Sequence, residues 1–115
     1  MGDFFVIMKT ELRIKSPLEF QEVINKRRFR NSNAFTIYYV PKRKDHNRFG
    51  ITASKKMGNA VLRNKTRRQV RMMLQEIQLN DLKFDAVILV RKKYFEQSYE
   101  DNRLDLEKVL KTVKI

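Results

Sequence analysis

The spacing of apolar residues changes several times along this 115-residue chain, and each change marks an element. After Ser16-Pro17-Leu18-Glu19, the residues Phe20, Val23 and Ile24 recur at i, i+3 and i+4, one face of a helix. Ser16 and Glu19 stand at capping-box spacing, and Pro17 occupies the first helical position, where a missing N–H is harmless. This helix is predicted to end near Lys26 or Arg27. A short edge strand is expected over residues 28–30, before a turn at Asn31-Ser32-Asn33. From Ala34 to Val40 the chain is aromatic and β-branched and stops at Pro41, which reads as a strand. Phe35, Ile37 and Tyr39 face one way, and Thr36, Tyr38 and Val40 the other. Residues 42–47 form a polar connection. A second strand over 48–54 is expected to return as an antiparallel hairpin partner.

Gly58-Asn59 marks a turn, with Asn59 as N-cap of a helix predicted from Ala60 to about Gln78. The unbroken run Ala86-Val87-Ile88-Leu89-Val90 predicts a strand over 85–90 covered on both faces. A last helix begins near Ser98, with Glu100 and Asp101 in its first turn, Lys108, Lys111 and Lys114 towards its end, and Leu106, Val109, Leu110 and Val113 as its stripe. The order α, β, β, α, β, α, with a possible extra edge strand, is that of an α+β domain. Its small sheet packs with three helices.

Charge sharpens this picture. Residues 23–75 hold fifteen Lys or Arg against the single acid Asp45, whereas residues 1–22 net −1 and residues 76–115 net 0. A basic block confined to one stretch of a folded domain is suited to a polyanion. The 42% hydrophobic content fits one folded domain, read here as residues 10–115, after a poorly ordered extension over 1–9. The run Phe4-Phe5-Val6-Ile7-Met8 is too short for a signal-peptide core, and no stretch approaches membrane-spanning length. With no cysteine there is neither disulfide nor thiolate ligand. A cytoplasmic protein with a nucleic-acid partner and no membrane contact is expected.

The second helix breaks a rule. On a helical wheel Leu62, Thr66, Val70, Met73, Leu74 and Ile77 fall within an arc of roughly 120°. Asn64, Arg67, Arg68 and Arg71 fill an adjacent arc, edged by Arg63 and Lys65. Acids at a helix N-terminus stabilise it by about 0.3–1 kcal/mol each, because the macrodipole is positive there. Here Arg63, Lys65, Arg67 and Arg68 crowd the first turns behind Lys55 and Lys56, with no acid before Glu76. The last helix obeys the dipole rule, so the violation points to function: a phosphate-binding face.

The stretch from Phe49 to Arg68, with Ser54-Lys55-Lys56-Met57-Gly58-Asn59-Ala60-Val61-Leu62-Arg63-Asn64 at its centre and Arg71 beyond, resembles the protein subunit of bacterial ribonuclease P. Element order and length agree from Thr10 onward. Two positions depart from the family pattern: Lys65 replaces the second Arg of the family's Arg-Asn-Arg motif, and Thr66 replaces an aliphatic residue. The resemblance implies a ribonucleoprotein endonuclease that removes the 5′ leader from precursor tRNA. It further implies that an RNA subunit performs the hydrolysis with bound Mg²⁺. One protein per RNA would broaden substrate use and lower the magnesium requirement. It also implies a domain like that of a ribosomal protein, with a left-handed β–α–β crossover through the basic helix.

Carried over, Lys55, Lys56, Arg63, Asn64, Lys65, Arg67, Arg68 and Arg71 would bind the RNA subunit. Phe20, Tyr38 and Arg91 would line a cleft for the single-stranded leader. Bland readings stand beside these: Asn64 as a solvated helix residue, Phe20 as core. Ile24 replaces an aromatic found in a relative one turn after Phe20, which implies weaker stacking.

No catalytic or metal-ligating residues are assigned. His46 is the only histidine, and a metal-independent ribonuclease wants both a general base and a general acid. Glu96, Glu100, Asp101, Asp105 and Glu107 read as solvated and helix N-terminal acids. The alternatives are a structural, ribosomal-protein-like RNA-binding protein with no nuclease role, a DNA-binding helix, and a self-sufficient nuclease. The DNA reading lacks a preceding helix at helix-turn-helix spacing.

Overall fold

The computed structural model describes residues 13, 14, 16–42, 47–77 and 83–113. The extension expected over 1–9, His46 and Lys114 lie outside the described residues. Among the described residues three helices and four strands follow in the order α1 (Pro17–Asn25), β1 (Phe29–Asn31), β2 (Phe35–Pro41), β3 (Phe49–Thr52), α2 (Ala60–Ile77), β4 (Phe84–Val90) and α3 (Tyr99–Lys111), with 3₁₀ turns at Lys55–Met57 and Lys92–Glu96. Their α+β mixed sheet is the one expected, the extra edge strand being β1. The cap read from sequence at Ser16 forms, its Oγ accepting from the Glu19 N–H at 3.4 Å. Ser98, near which the last helix was expected to begin, caps it by accepting from the Asp101 N–H at 3.1 Å.

Strand order is β1-β2-β4-β3, so the expected hairpin between β2 and β3 does not form. β4 lies between them, antiparallel to β2 and parallel to β3. The reason is in β4 itself. Its residues are apolar on both sides of the pleat, and a place between two strands, with α2 and α3 on one face and α1 on the other, covers both. β3 carries Gly50 and Thr52 on one face and takes the edge beyond β4. Outside β3 the chain start adds a parallel bridge, Arg13 beside Phe49, with the Ile14 N–H donating to the Phe49 carbonyl at 2.9 Å.

Alternation along the strands separates two cores. Phe35, Ile37 and Tyr39 of β2, Phe49 and Ile51 of β3 and Phe84, Ala86, Ile88 and Val90 of β4 pack against Val70, Met73, Leu74 and Ile77 of α2 and Leu106, Val109 and Leu110 of α3. On the other face Val40 and Val87 meet Ile14 and Val23, with Phe20, Ile24, Tyr38 and Leu89 packed around them. α2 and α1 therefore lie on opposite sides of one sheet.

A buried ion cluster fixes α1 to its side. Arg48, 6% exposed, donates to both Glu19 carboxylate oxygens at 3.3 and 2.6 Å and to Asp85 Oδ2 at 3.2 Å. The Arg48 backbone N–H also donates to Asp85 Oδ1 at 2.9 Å. The hydrogen bonds to Glu19 and then Asp85 push the Arg48 pKa up, against the opposing effect of burial. Removing one partner leaves a buried charge short of its counter-charge. We expect Asp85→Asn to lose about 3 kcal/mol of stability, the low end for a broken buried pair because Glu19 remains. Urea denaturation reads this directly, and an unchanged midpoint would show the cluster to be dispensable.

Candidate nucleic-acid interface

The approach to α2 is built from residues with little conformational choice. Ser54 Oγ accepts from the Lys56 N–H at 3.2 Å and caps the 3₁₀ turn that displays Lys55 and Lys56. Gly58 has φ +146°, and a Cβ there would stand 2.5 Å from Leu62 Cδ2. Asn59 Oδ1 accepts from the Leu62 N–H at 2.9 Å, the N-cap read from sequence. Thr66, expected on the core face, is buried there, and its hydroxyl donates to the Leu62 carbonyl at 2.9 Å. That back-bond satisfies the one polar atom the family's aliphatic residue would lack.

The cationic side chains come out as the wheel places them. Lys55, Lys56, Asn64, Lys65 and Arg68 are exposed, and Arg63, Arg67 and Arg71 are half-buried. Asn64 Oδ1 accepts from Arg67, so this amide orients a guanidinium within the helix. The Arg71 pKa is lowered, first by burial and then by the charges of Arg13 and Arg67. Three guanidinium groups from two chain segments thus share one region. Arg13 is a residue sequence reasoning missed. Only the bridge to Phe49 brings it to α2, and no local pattern announces that pairing.

On the opposite face the register aligns Phe29, Tyr38, Val87 and Gly50 in one row across all four strands. Asn31, Thr36, Leu89 and Thr52 form the next row. Phe20 lies over the Gly50 end, where an added Cβ would stand 2.4 Å from its ring. At the other end Phe29, 46% exposed, sets its ring 5.4 Å from that of Tyr38. The structure thus brings Phe20 and Tyr38 onto one floor and adds Phe29, which sequence reading assigned only to an edge strand. Phe20 packs beside the second core and remains half-buried. Arg91 follows β4 at the rim, exposed, with its guanidinium donating to the Ser32 carbonyl at 2.7 Å.

The C-terminal acids are spread among other partners. Glu96 pairs with Lys93, Glu100 with Arg103, and Glu107 with Arg103 and Lys111. Asp105 Oδ2 accepts from the Ala34 N–H at 2.9 Å and ties α3 to the start of β2. Among the described residues no three Asp, Glu, His or Cys side chains converge as a metal-binding group. No described helix is long and apolar enough to cross a membrane.

A small α+β domain with a cationic helix on one face of its sheet and an aromatic floor on the other defines a polyanion-binding protein. The family model for ribonuclease P matches residues 8–114. The ribonuclease P protein component of Mesoplasma florum is 43% identical over 105 residues, covering 90% of this chain and 96% of that protein. The Staphylococcus aureus RNase P protein superposes with a TM-score of 0.80 at 33% identity, covering 90% of this chain and 96% of that one. A mutant of the S. aureus protein, described as having defective mRNA degradation activity, gives 0.82 at 33% identity over 95% of this chain and 93% of its own. The chain belongs to the ribonuclease P protein family.

Two outcomes test this geometry. Gly50→Ala forces the Phe20 ring to move and is expected to cost about 1–3 kcal/mol, as overpacking does. Adding Phe20→Leu should recover part of that loss in urea denaturation, whereas no recovery would mean that something other than this ring opposes the Cβ. The guanidinium cluster should make the free protein salt-sensitive. Raising NaCl from 0.01 to 0.15 M shortens the screening length from about 30 to about 8 Å, which should raise Tm. Arg13→Gln should shrink that gain, and an equal gain in both proteins would count against the cluster.

Proposed function

We propose that this chain is the non-catalytic protein subunit of a ribonuclease P holoenzyme that removes the 5′ leader of precursor tRNA in the cytoplasm. One protein would serve one RNA. The observation that carries this reading is the placement of two unlike surfaces on opposite faces of one sheet. α2, with Lys55 and Lys56 before it, suits the phosphates of a folded RNA. Its arginines offer planar donors, and Asn64 sets the angle of one of them. The floor of Phe20, Tyr38 and Phe29 suits an unpaired strand. Base–aromatic stacking is worth about 1–3 kcal/mol per base and is largely indifferent to sequence, as many different leaders require. Arg91 at the rim would meet a leader phosphate.

Hydrolysis would fall to the RNA subunit, where bound Mg²⁺ would supply an activated water and charge stabilisation. The protein's own residues act by binding. Lys and Arg side chains displace counterions from the RNA and weaken the repulsion between RNA subunit and RNA substrate. The effect is largest when little Mg²⁺ is present to screen those phosphates. The same face would serve a ribosomal-protein-like role without a nuclease, so the assay must separate the two.

The test is cleavage of a precursor tRNA at low Mg²⁺ by the protein alone, a bacterial ribonuclease P RNA alone, and the mixture. Cleavage by the mixture alone is expected. No stimulation of an RNA that is active at high Mg²⁺ would favour the structural role. An mRNA added to the protein-only arm tests the activity named for the S. aureus protein. Arg67→Glu with Arg68→Glu should abolish stimulation while leaving the circular dichroism spectrum unchanged, and full stimulation by that folded variant would refute the assignment of α2.

A further inference from the structure

Beyond the cationic face, α2 borders a half-open cavity of about 200 Å³ that it shares with the Lys92–Glu96 turn and α3. We propose that this cavity binds one unstacked nucleobase of the RNA held along α2. The inference rests on the RNA-binding reading above and adds a base-binding site to a surface otherwise suited to phosphates. A single water needs roughly 30 Å³, so the space admits a planar heterocycle.

The lining supplies both stacking and edge recognition. Tyr94 OH donates to Gln69 Oε1 at 2.7 Å, and Tyr99 OH donates to Glu76 Oε1 at 2.9 Å. Burial pushes the Tyr99 hydroxyl up to about 12, with the Glu76 hydrogen bond adding to the shift, so it stays a donor at working pH. Both tyrosines have therefore committed their hydroxyl protons; buried Tyr94 forms the inner wall of the cavity, and partly buried Tyr99 offers its ring. Gln97 Nε2 donates to Asn102 Oδ1 at 2.7 Å, and buried Asn102 donates onward to the Tyr94 carbonyl at 3.0 Å. These bonds orient both glutamines. They leave the Gln69 amide N–H groups and the Gln97 carbonyl oxygen without protein partners among the described residues. One donor and one acceptor in the same cavity match the Watson–Crick edge of any base, which presents both.

Two rim residues favour a nucleotide over an apolar ligand. Phe95 is 40% exposed, and its ring is held edge-on to Tyr94 at 5.3 Å. A phenyl group kept out of the core in a fixed orientation is a stacking surface. Lys65, exposed on α2, lines the same opening and can take the attached phosphate. Lys65 thereby joins the cavity to the cationic face, one turn before Gln69.

The test compares wild type, Phe95→Leu and Phe95→Trp for affinity to a bacterial ribonuclease P RNA across a salt series. Phe95→Leu keeps an apolar side chain and loses the aromatic face. It should weaken binding about tenfold, within the range for one stacked base, and leave the slope of log K against log salt unchanged. Phe95→Trp should restore affinity. By contrast, Arg67→Gln should make that slope shallower by about one unit. Wild-type affinity in Phe95→Leu would overturn the proposal, and so would weakening accompanied by a shallower slope, which signals lost phosphate contacts. Should wild type itself fail to bind the RNA, the reading of α2 fails, and the cavity is then judged by NMR. Uridine or adenosine monophosphate should shift the Gln69 and Gln97 side-chain amides where ribose 5-phosphate does not. Equal shifts from ribose 5-phosphate, or no shift, would overturn the site.

Discussion

The ion cluster of Arg48, Glu19 and Asp85 constrains more of this molecule than any other contact. Two carboxylates from α1 and β4 enclose one guanidinium that enters from just before β3, with Arg48 6% and Asp85 1% exposed. Charges taken out of water hold a geometry tightly, because any departure leaves one of them unpaired in a poorly polarisable interior. Glu19 immediately precedes Phe20, so anchoring one places the other over Gly50. The Arg48 backbone pairs with Asp85 and Ala86, which sets where β3 runs beside β4. Helix position, strand register and the aromatic floor are thus linked through one buried arginine.

A second constraint acts in the opposite direction. Burial disfavours the charge on Arg71, and the neighbouring charges of Arg13 and Arg67 disfavour it further. The fold tolerates this because the rest of α2 is committed to the main core through Val70, Met73, Leu74 and Ile77. A surface held together against its own repulsion gains when a polyanion arrives, since neutralisation relieves a strain the free protein already carries. The charge that makes the basic helix a weak stabiliser of its own domain is the charge that the proposed RNA partner would neutralise.

The sheet separates these two tendencies. One face supports a charged helix over a large apolar core, and the other supports a shallow floor only partly covered by α1. On the proposed reading, a folded RNA and a flexible strand would meet different residues and would not compete.

Much of this was legible in the chain. The caps at Ser16 and Asn59, the start of the last helix near Ser98, the core stripe of α2 and the two-sided apolar run of β4 are local patterns, and each formed where its spacing placed it. The cationic face was equally plain, because a helix fixes the relative directions of its own residues whatever surrounds it. What sequence could not settle were pairings between distant segments. Adjacency suggested a β2–β3 hairpin, yet β4 enters between them, where both its apolar faces are covered. Arg13 joins α2, Phe29 joins Tyr38, and Gln69 meets Tyr94 through contacts whose partners are separated along the chain. The sequence determined the elements and the chemistry each would show, because those depend on neighbours within a few residues. Tertiary structure alone decided which of those chemistries share a surface, because burial of apolar faces, blind to function, sets the order of the strands.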